Sequence, residues 1–181
     1  GVASNQDGSL YWIVDEKGQV FVHNAAGKVV GTWECKGVDK PEGIATNGID
    51  LWIVDRETDR VSFFKGAAAR RTGSAKATSS FALAKANNNP TDVTTDGVHL
   101  WVVNDARQDA VYRYSLRGGL EGSWQIDTAN NTPTGLTIDP NNVSNIWIVD
   151  AKTDRVYEYT GAAGRVSGQQ SAAASFALNS A

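Results

Sequence analysis

Asp50-Leu51-Trp52-Ile53-Val54-Asp55 is apolar without a break between two carboxylates, and the chain repeats it. The other copies are Leu10-Tyr11-Trp12-Ile13-Val14-Asp15, His99-Leu100-Trp101-Val102-Val103-Asn104 and Asn145-Ile146-Trp147-Ile148-Val149-Asp150. Their tryptophans, Trp12, Trp52, Trp101 and Trp147, recur at intervals of 40, 49 and 46 residues. A short run of β-branched and aromatic residues without polar alternation reads as a strand covered on both faces. Four copies at near-constant spacing make the repeat, not the single strand, the unit of the fold.

Outward from that strand, each copy has the same order of parts. A short strand precedes it: Gly1-Val2-Ala3-Ser4, Gly43-Ile44-Ala45-Thr46, Asp92-Val93-Thr94-Thr95 and Gly135-Leu136-Thr137-Ile138. Asn47-Gly48, Asp96-Gly97 and Asp139-Pro140-Asn141 supply tight turns between the two. A third strand alternates polar and apolar residues, as in Val111-Tyr112-Arg113-Tyr114 and Val156-Tyr157-Glu158-Tyr159. A fourth carries one aromatic: Gly31-Thr32-Trp33, Ser80-Phe81-Ala82, Gly122-Ser123-Trp124 and Ser175-Phe176-Ala177.

Four short antiparallel strands per repeat, with no helical periodicity, predict an all-β chain: a β-propeller of four four-stranded antiparallel blades, at approximately 1–36, 43–84, 92–127 and 135–179 of a single unit spanning 1–181. A β-sandwich of sixteen short strands is the alternative, and it does not require a strict repeat. Blades two and four insert Gly/Ala/Ser-rich stretches beginning at Gly66 and Gly161, so the duplicated unit is a pair of blades. Ring closure stays open between a closed four-blade ring, half of an eight-blade ring completed by a second copy, and an excerpt of a longer chain. With no methionine and no signal-peptide pattern, the chain reads as a processed or excised piece.

Composition bounds the function. The chain has 181 residues, 41% of them apolar, and a net charge of −3. That is enough apolar matter for a core and too little charge to attract nucleic acid or an anionic membrane. No run is apolar enough for a membrane helix, and the expectation is no nucleic acid and no membrane insertion. The single Cys35 excludes an internal disulfide and a cysteine-based zinc cluster. No Gly-x-Ser-x-Gly elbow appears, and His23 and His99 lie in different blades without metal-ligand spacing, so no catalytic residue, cofactor or metal is expected. The six tryptophans fill repeat-equivalent slots and read as core. Asn130-Asn131-Thr132 and Asn142-Val143-Ser144 fit a glycosylation pattern.

The turn between strands two and three is the candidate ligand face. It reads Asp55-Arg56-Glu57-Thr58-Asp59-Arg60 and Asp150-Ala151-Lys152-Thr153-Asp154-Arg155, with a looser form at Asn104-Asp105-Ala106-Arg107-Gln108-Asp109. In a propeller these turns share a face with the connectors between blades, which places most of the twenty carboxylates on one side. The candidates are Asp55, Asp59, Asp105, Asp109, Asp150 and Asp154. Such oxygens suit hard cations or sugar hydroxyls. The competing reading is plain turn chemistry, since Asp and Thr bond their own backbone in tight hairpins.

The pattern Pro-x-Gly-Ile followed by Leu-Trp-Ile-Val-Asp-x-x-Thr-Asp-Arg-Val resembles NHL-type β-propeller repeats. The alternation of Gly-Ser-Trp with Ser-Phe-Ala-Leu is similar to tandem repeats in large secreted or surface proteins of bacteria, notably planctomycetes. The resemblance implies a propeller of the six- or eight-blade class, used for binding or surface architecture at an extracellular or cell-surface location. Related propellers that act as metal-dependent lyases or lactonases carry axial His, Glu or Asp ligands, where this chain has Gly, Ile, Ala, Thr and Val. RNA-binding relatives carry a basic face. The expected function is therefore a non-enzymatic binding module with an unidentified protein, glycan or cation partner and a possible homodimer or longer assembly completing the ring. The alternatives are a metal-dependent hydrolase or lyase at the central channel, and a self-assembling surface building block.

Overall fold

A computed structural model describes residues 1–139 and 141–178. Each repeat forms one antiparallel sheet, and the four sheets stand around a common axis as a four-blade β-propeller. Blade 1 comprises β1 (Val2–Ser4), β2 (Leu10–Val14), β3 (Gln19–Asn24) and β4 (Val29–Lys36). Blade 2 has β5 (Pro41–Thr46), β6 (Leu51–Asp55), β7 (Arg60–Phe64) and β9 (Ser79–Ala82), while the intervening β8 (Ser74–Lys76) joins the sheet of blade 1. Blade 3 is built of β10 (Pro90–Thr95), β11 (His99–Asn104), β12 (Ala110–Ser115) and β13 (Leu120–Gln125). Blade 4 contains β14 (Pro133–Ile138), β15 (Ile146–Asp150), β16 (Arg155–Tyr159) and β17 (Ala174–Ala177). The expected end of the last blade, at residue 179, lies outside the described residues, as does Pro140 in the expected Asp139-Pro140-Asn141 turn.

The inner strands β1, β5, β10 and β14 surround the axis. Between β5 and β10 the approach is close enough to demand glycine: a Cβ on Gly43 would stand 2.7 Å from the Cα of Asp92 in the next blade.

Each blade has two faces. Trp12, Val14, Val20, Val22 and Trp33 of blade 1 pack onto Ile44, Leu51, Ile53 and Phe64 of blade 2. Trp52, Val54, Val61 and Leu83 of blade 2 meet Val93, Leu100, Val102 and Tyr112 of blade 3. Trp101, Val103, Val111 and Trp124 meet Leu136, Ile148, Tyr157 and Tyr159 of blade 4. The tryptophan side therefore leads and the opposite side trails. Blades 2 and 3, flanked on both sides, bury their second strand almost completely, whereas β2 and β15 alternate buried with less buried residues.

The Gly/Ala/Ser stretches proved to be straps between blades. After the αL Gly66 and a 3₁₀ turn (Ala67–Ala69) whose first two alanines are buried, the chain leaves blade 2 and adds β8 in parallel to the outer edge of β4. Thr32 N–H donates to Arg71 O at 2.9 Å, and Glu34 N–H to Gly73 O at 2.9 Å. Blade 4 repeats this on β13: Ser123 N–H donates to Val166 O at 3.1 Å and Gln125 N–H to Gly168 O at 2.9 Å. Gly31 and Gly122 permit the approach, because a Cβ there would stand 2.7 Å from Arg71 Cα and 2.8 Å from the Val166 carbonyl carbon respectively. The straps bind blade 1 to blade 2 and blade 3 to blade 4, the pairs already visible as the longer period of the sequence.

Candidate functional site

The face carrying the turns between second and third strands is held by one repeated device. Asp55 is buried, and its carboxylate accepts backbone N–H bonds from Asp39 (2.8 Å) and Lys40 (3.2 Å) in the connector from blade 1. It also accepts from Glu57 (2.9 Å) and Thr58 (3.3 Å) in its own turn. Asp150, also buried, does the same with Thr132 (2.7 Å), Lys152 (3.1 Å) and Thr153 (2.7 Å), and takes the Thr153 hydroxyl at 2.8 Å. In blade 3 the position is Asn104, whose side chain accepts from Asn89 N–H at 2.8 Å and donates to Ala86 O at 3.3 Å. Burial alone would raise the Asp55 and Asp150 carboxyls, but the N–H donors outweigh it and hold both below their ordinary value. These two candidates clasp turn to connector and face away from solvent.

Asp59 and Asp154 occupy the tip of the same turns in the left-handed region, at φ 50° and 51°. Asp tolerates that conformation better than most residues with a Cβ. Their carbonyls receive the chain returning from the fourth strand, from Leu83 N–H at 2.8 Å and Leu178 N–H at 2.7 Å. The Asp154 side chain is exposed, and that of Asp59 is half-buried with one oxygen unpartnered, its carboxyl raised by desolvation and by Asp55.

The structure brings Asp105 and Asp109 within electrostatic reach of each other and of Asp150. Desolvation raises the Asp105 carboxyl; Arg56 eases it and Asp150 adds to it. Desolvation raises Asp109 as well, against a bond from Ala106 N–H, with Asp105 and Asp150 both contributing repulsion. Arg56 spans the gap between blades here, donating to Asn89 Oδ1 at 2.5 Å and lying 3.5 Å from Glu42. Among the described residues no three His, Cys, Asp or Glu side chains are grouped so as to hold a metal ion.

Asp92, which the sequence offers only as the first residue of a short strand, is an axial residue. Its Oδ2 accepts Leu136 N–H at 2.9 Å from blade 4 and its Oδ1 accepts Val93 N–H at 2.8 Å. Burial pushes this carboxyl up to about 7, against those two bonds and the nearby Gly1 ammonium, with Glu42 adding repulsion. A cavity of about 670 Å³ runs beside it, lined by the inner strands together with Tyr11, Trp147 and Val149. Because the folded pKa is raised, the carboxyl favours the native state below its ordinary value of 3.8, and that contribution is lost as pH rises toward about 7. The expected result is a stability difference between wild type and Asp92→Asn that shifts between pH 4 and 7 and is level above 8. Urea denaturation across that range is the check, and a difference independent of pH sinks the assignment.

The connectors hold a second missed device. Tyr114 OH accepts from Asn87 Nδ2 at 3.1 Å and Ala84 N–H at 3.0 Å, and Tyr159 OH from Asn130 Nδ2 and Asp127 N–H, both at 3.2 Å. Asn87 and Asn130 stand three residues before Pro90 and Pro133, and that equal spacing was the available signal. Asn130 is fully buried, which removes it as a glycosylation acceptor in the folded chain. Cys35 is buried too, its thiol donating to Gly18 O at 3.2 Å and pushed up to about 12 by burial. His99, expected to be an ordinary residue, joins Asp96 at 3.2 Å and Glu121 at 3.7 Å, and Glu121 also takes Arg113 at 2.8 Å. Trp147 departs from the expected core role: five tryptophans are buried and this one is only partly so.

Solved structures share this architecture. A Myxococcus xanthus glutaminyl cyclase aligns with a TM-score of 0.68 at 14% identity, over 93% of this chain and 68% of that one. A chain of the nidogen/laminin complex gives 0.63 at 19% identity, covering 94% and 67%. Kuenenia stuttgartiensis hydrazine synthase gives 0.63 at 17%, covering 98% of this chain, which spans 48%, about half, of that one. At these identities the likeness is one of fold. No family model and no curated protein matches the sequence.

Proposed function

We propose that this chain is a non-enzymatic propeller module, of NHL-like type and working outside the cell or at its surface, that binds a protein or glycan on its turn face. The observation that carries the reading is the split of labour among the turn carboxylates. Asp55 and Asp150, with Asn104, fix the turns rigidly to the connectors. Asp105 and Asp109 are held partly desolvated and mutually repelling, an arrangement that opposes stability and suits a positively charged or hydroxyl-rich ligand. Asp59 and Asp154 extend the same face, and exposed Glu57, Thr58, Lys152 and Thr153 complete it. The fold supports a binding or structural role, and the sequence pattern supports the NHL-like and extracellular assignments.

The test is calorimetric titration with oligolysine peptides and with neutral oligosaccharides. Wild type is expected to bind a member of one set, and Asp105→Asn/Asp109→Asn to weaken that binding at least tenfold while leaving the fold intact or slightly stabilised. A wild type that binds neither set, or a variant that binds equally well, overturns the reading. The competing activity, a hydrolase or lyase at the channel, is favoured only by Asp92.

A further inference from the structure

The two end blades of the arc leave uncovered the faces that every internal blade covers. On the leading face of blade 4, Phe176 is 56% exposed and Leu178 46% exposed, with Trp147 partly open beside them. Their counterparts in blade 2 are Phe81, Leu83 and Trp52, of which Leu83 and Trp52 are buried against blade 3. On the trailing face of blade 1, Val2 is 61% and Ile13 37% exposed. Their counterparts in blade 3, Val93 and Val102, are 2% and 0% exposed under blade 2. Register fixes the equivalence, since Val2 pairs with Ile13 as Val93 pairs with Val102.

We infer that a second copy of this chain covers these faces, with the leading face of blade 4 docking on the trailing face of blade 1 of its neighbour. The template is inside the molecule. The joint between blades 2 and 3 apposes the same two surfaces, an even blade leading and an odd blade trailing, and buries most of their apolar side chains, with Phe81 partly covered. Among the described residues, blades 1 and 4 of one copy share no hydrophobic cluster. Among the described residues their turns meet through one exposed bond, Gln6 Nε2 to Asn141 Oδ1 at 3.2 Å, and the wedge behind it is the apolar-lined cavity containing Val2, Tyr11, Trp147 and Val149. An exposed bond of this kind opposes opening weakly. The joint between blades 2 and 3 also lacks the parallel strap that locks each pair, among the described residues, and it is about this joint that the two pairs would have to turn to admit a partner. Two such head-to-tail contacts close a symmetric ring of two copies.

Light scattering and sedimentation read the result directly. Wild type is expected to rise with concentration from 19.3 kDa to twice that mass. Phe176→Glu/Leu178→Glu and, separately, Val2→Glu/Ile13→Glu are expected to remain single copies at tenfold higher concentration. Their melting temperatures stay within a few degrees of that of the wild-type single copy, because each of those side chains is at least partly exposed in it. An equimolar mixture of the two variants is expected to pair again, since each supplies the intact face that the other lacks. Wild type that stays at the mass of one copy overturns the inference, as does either variant that assembles normally or a mixture that does not pair. Asp105→Asn/Asp109→Asn assembles like wild type, which keeps this result separate from the turn-face reading.

Discussion

Trp52→Ala is expected to destabilise the fold by about 4 kcal/mol, and Trp147→Ala, at the same position of the repeat, by less than half of that. Trp52 is 1% exposed, wedged between blades 2 and 3 with its ring centroid 5.2 Å from that of Phe63. Its removal leaves a cavity that two sheets cannot collapse into without disturbing Val54, Leu100 and Val102. Trp147 has the same sequence neighbours but faces the open wedge, so truncation removes less buried area and leaves no closed void. For a chain of this length the first change lowers the melting temperature by roughly 10 °C. Chemical denaturation of both variants at a concentration where single copies prevail decides the matter. Equal losses at the two positions rule out an open face on blade 4.

Asp55→Ala is expected to cost about 3 kcal/mol. Four backbone N–H groups lose their acceptor at once, two in the connector and two in the turn. Leaving a buried donor unmade costs on the order of 1–3 kcal/mol, and water entering at the turn face recovers part of the total. Asp55→Asn is milder, since one side-chain oxygen can still close the turn, as Asn104 does for its connector in blade 3. The pH dependence has a definite sign. Because the folded carboxyl is held below its ordinary value of 3.8, its stabilisation is present above that value and fades as pH falls through the folded one. Acid unfolding of Asp55→Ala must therefore be shallower than that of wild type below about pH 4. An equally steep acid transition, or a loss below 1 kcal/mol at neutral pH, contradicts the clasp.

The same aspartates show where sequence reasoning stopped. Asp55, Asp59, Asp150 and Asp154 are alike as letters in a turn, and both turn chemistry and ligand binding were open for them. The structure separates them by burial. Asp55 and Asp150 point inward to the connectors, while Asp59 and Asp154 hold the left-handed tips. Connector residues such as Asp39 and Thr132 lie 16 and 18 positions from their acceptors, and no local pattern announces contacts at that separation. The axial place of Asp92 escaped the sequence for the same reason, because it depends on Gly43 and Leu136 of two other blades.

Sequence alone determined the blade. Strand order and the blade-pair period follow from local pattern, because a pleated strand's side-chain period and its turns are local properties. Tertiary structure decided which blades are in fact covered. Leu51-Trp52-Ile53-Val54 and Ile146-Trp147-Ile148-Val149 are nearly the same four residues, yet the first is buried throughout and the second alternates. It also turned the Gly/Ala/Ser stretches into parallel straps on the neighbouring blade. Burial depends on what lies on the other side of a sheet, and a strand's own residues carry no record of their neighbour across an open face.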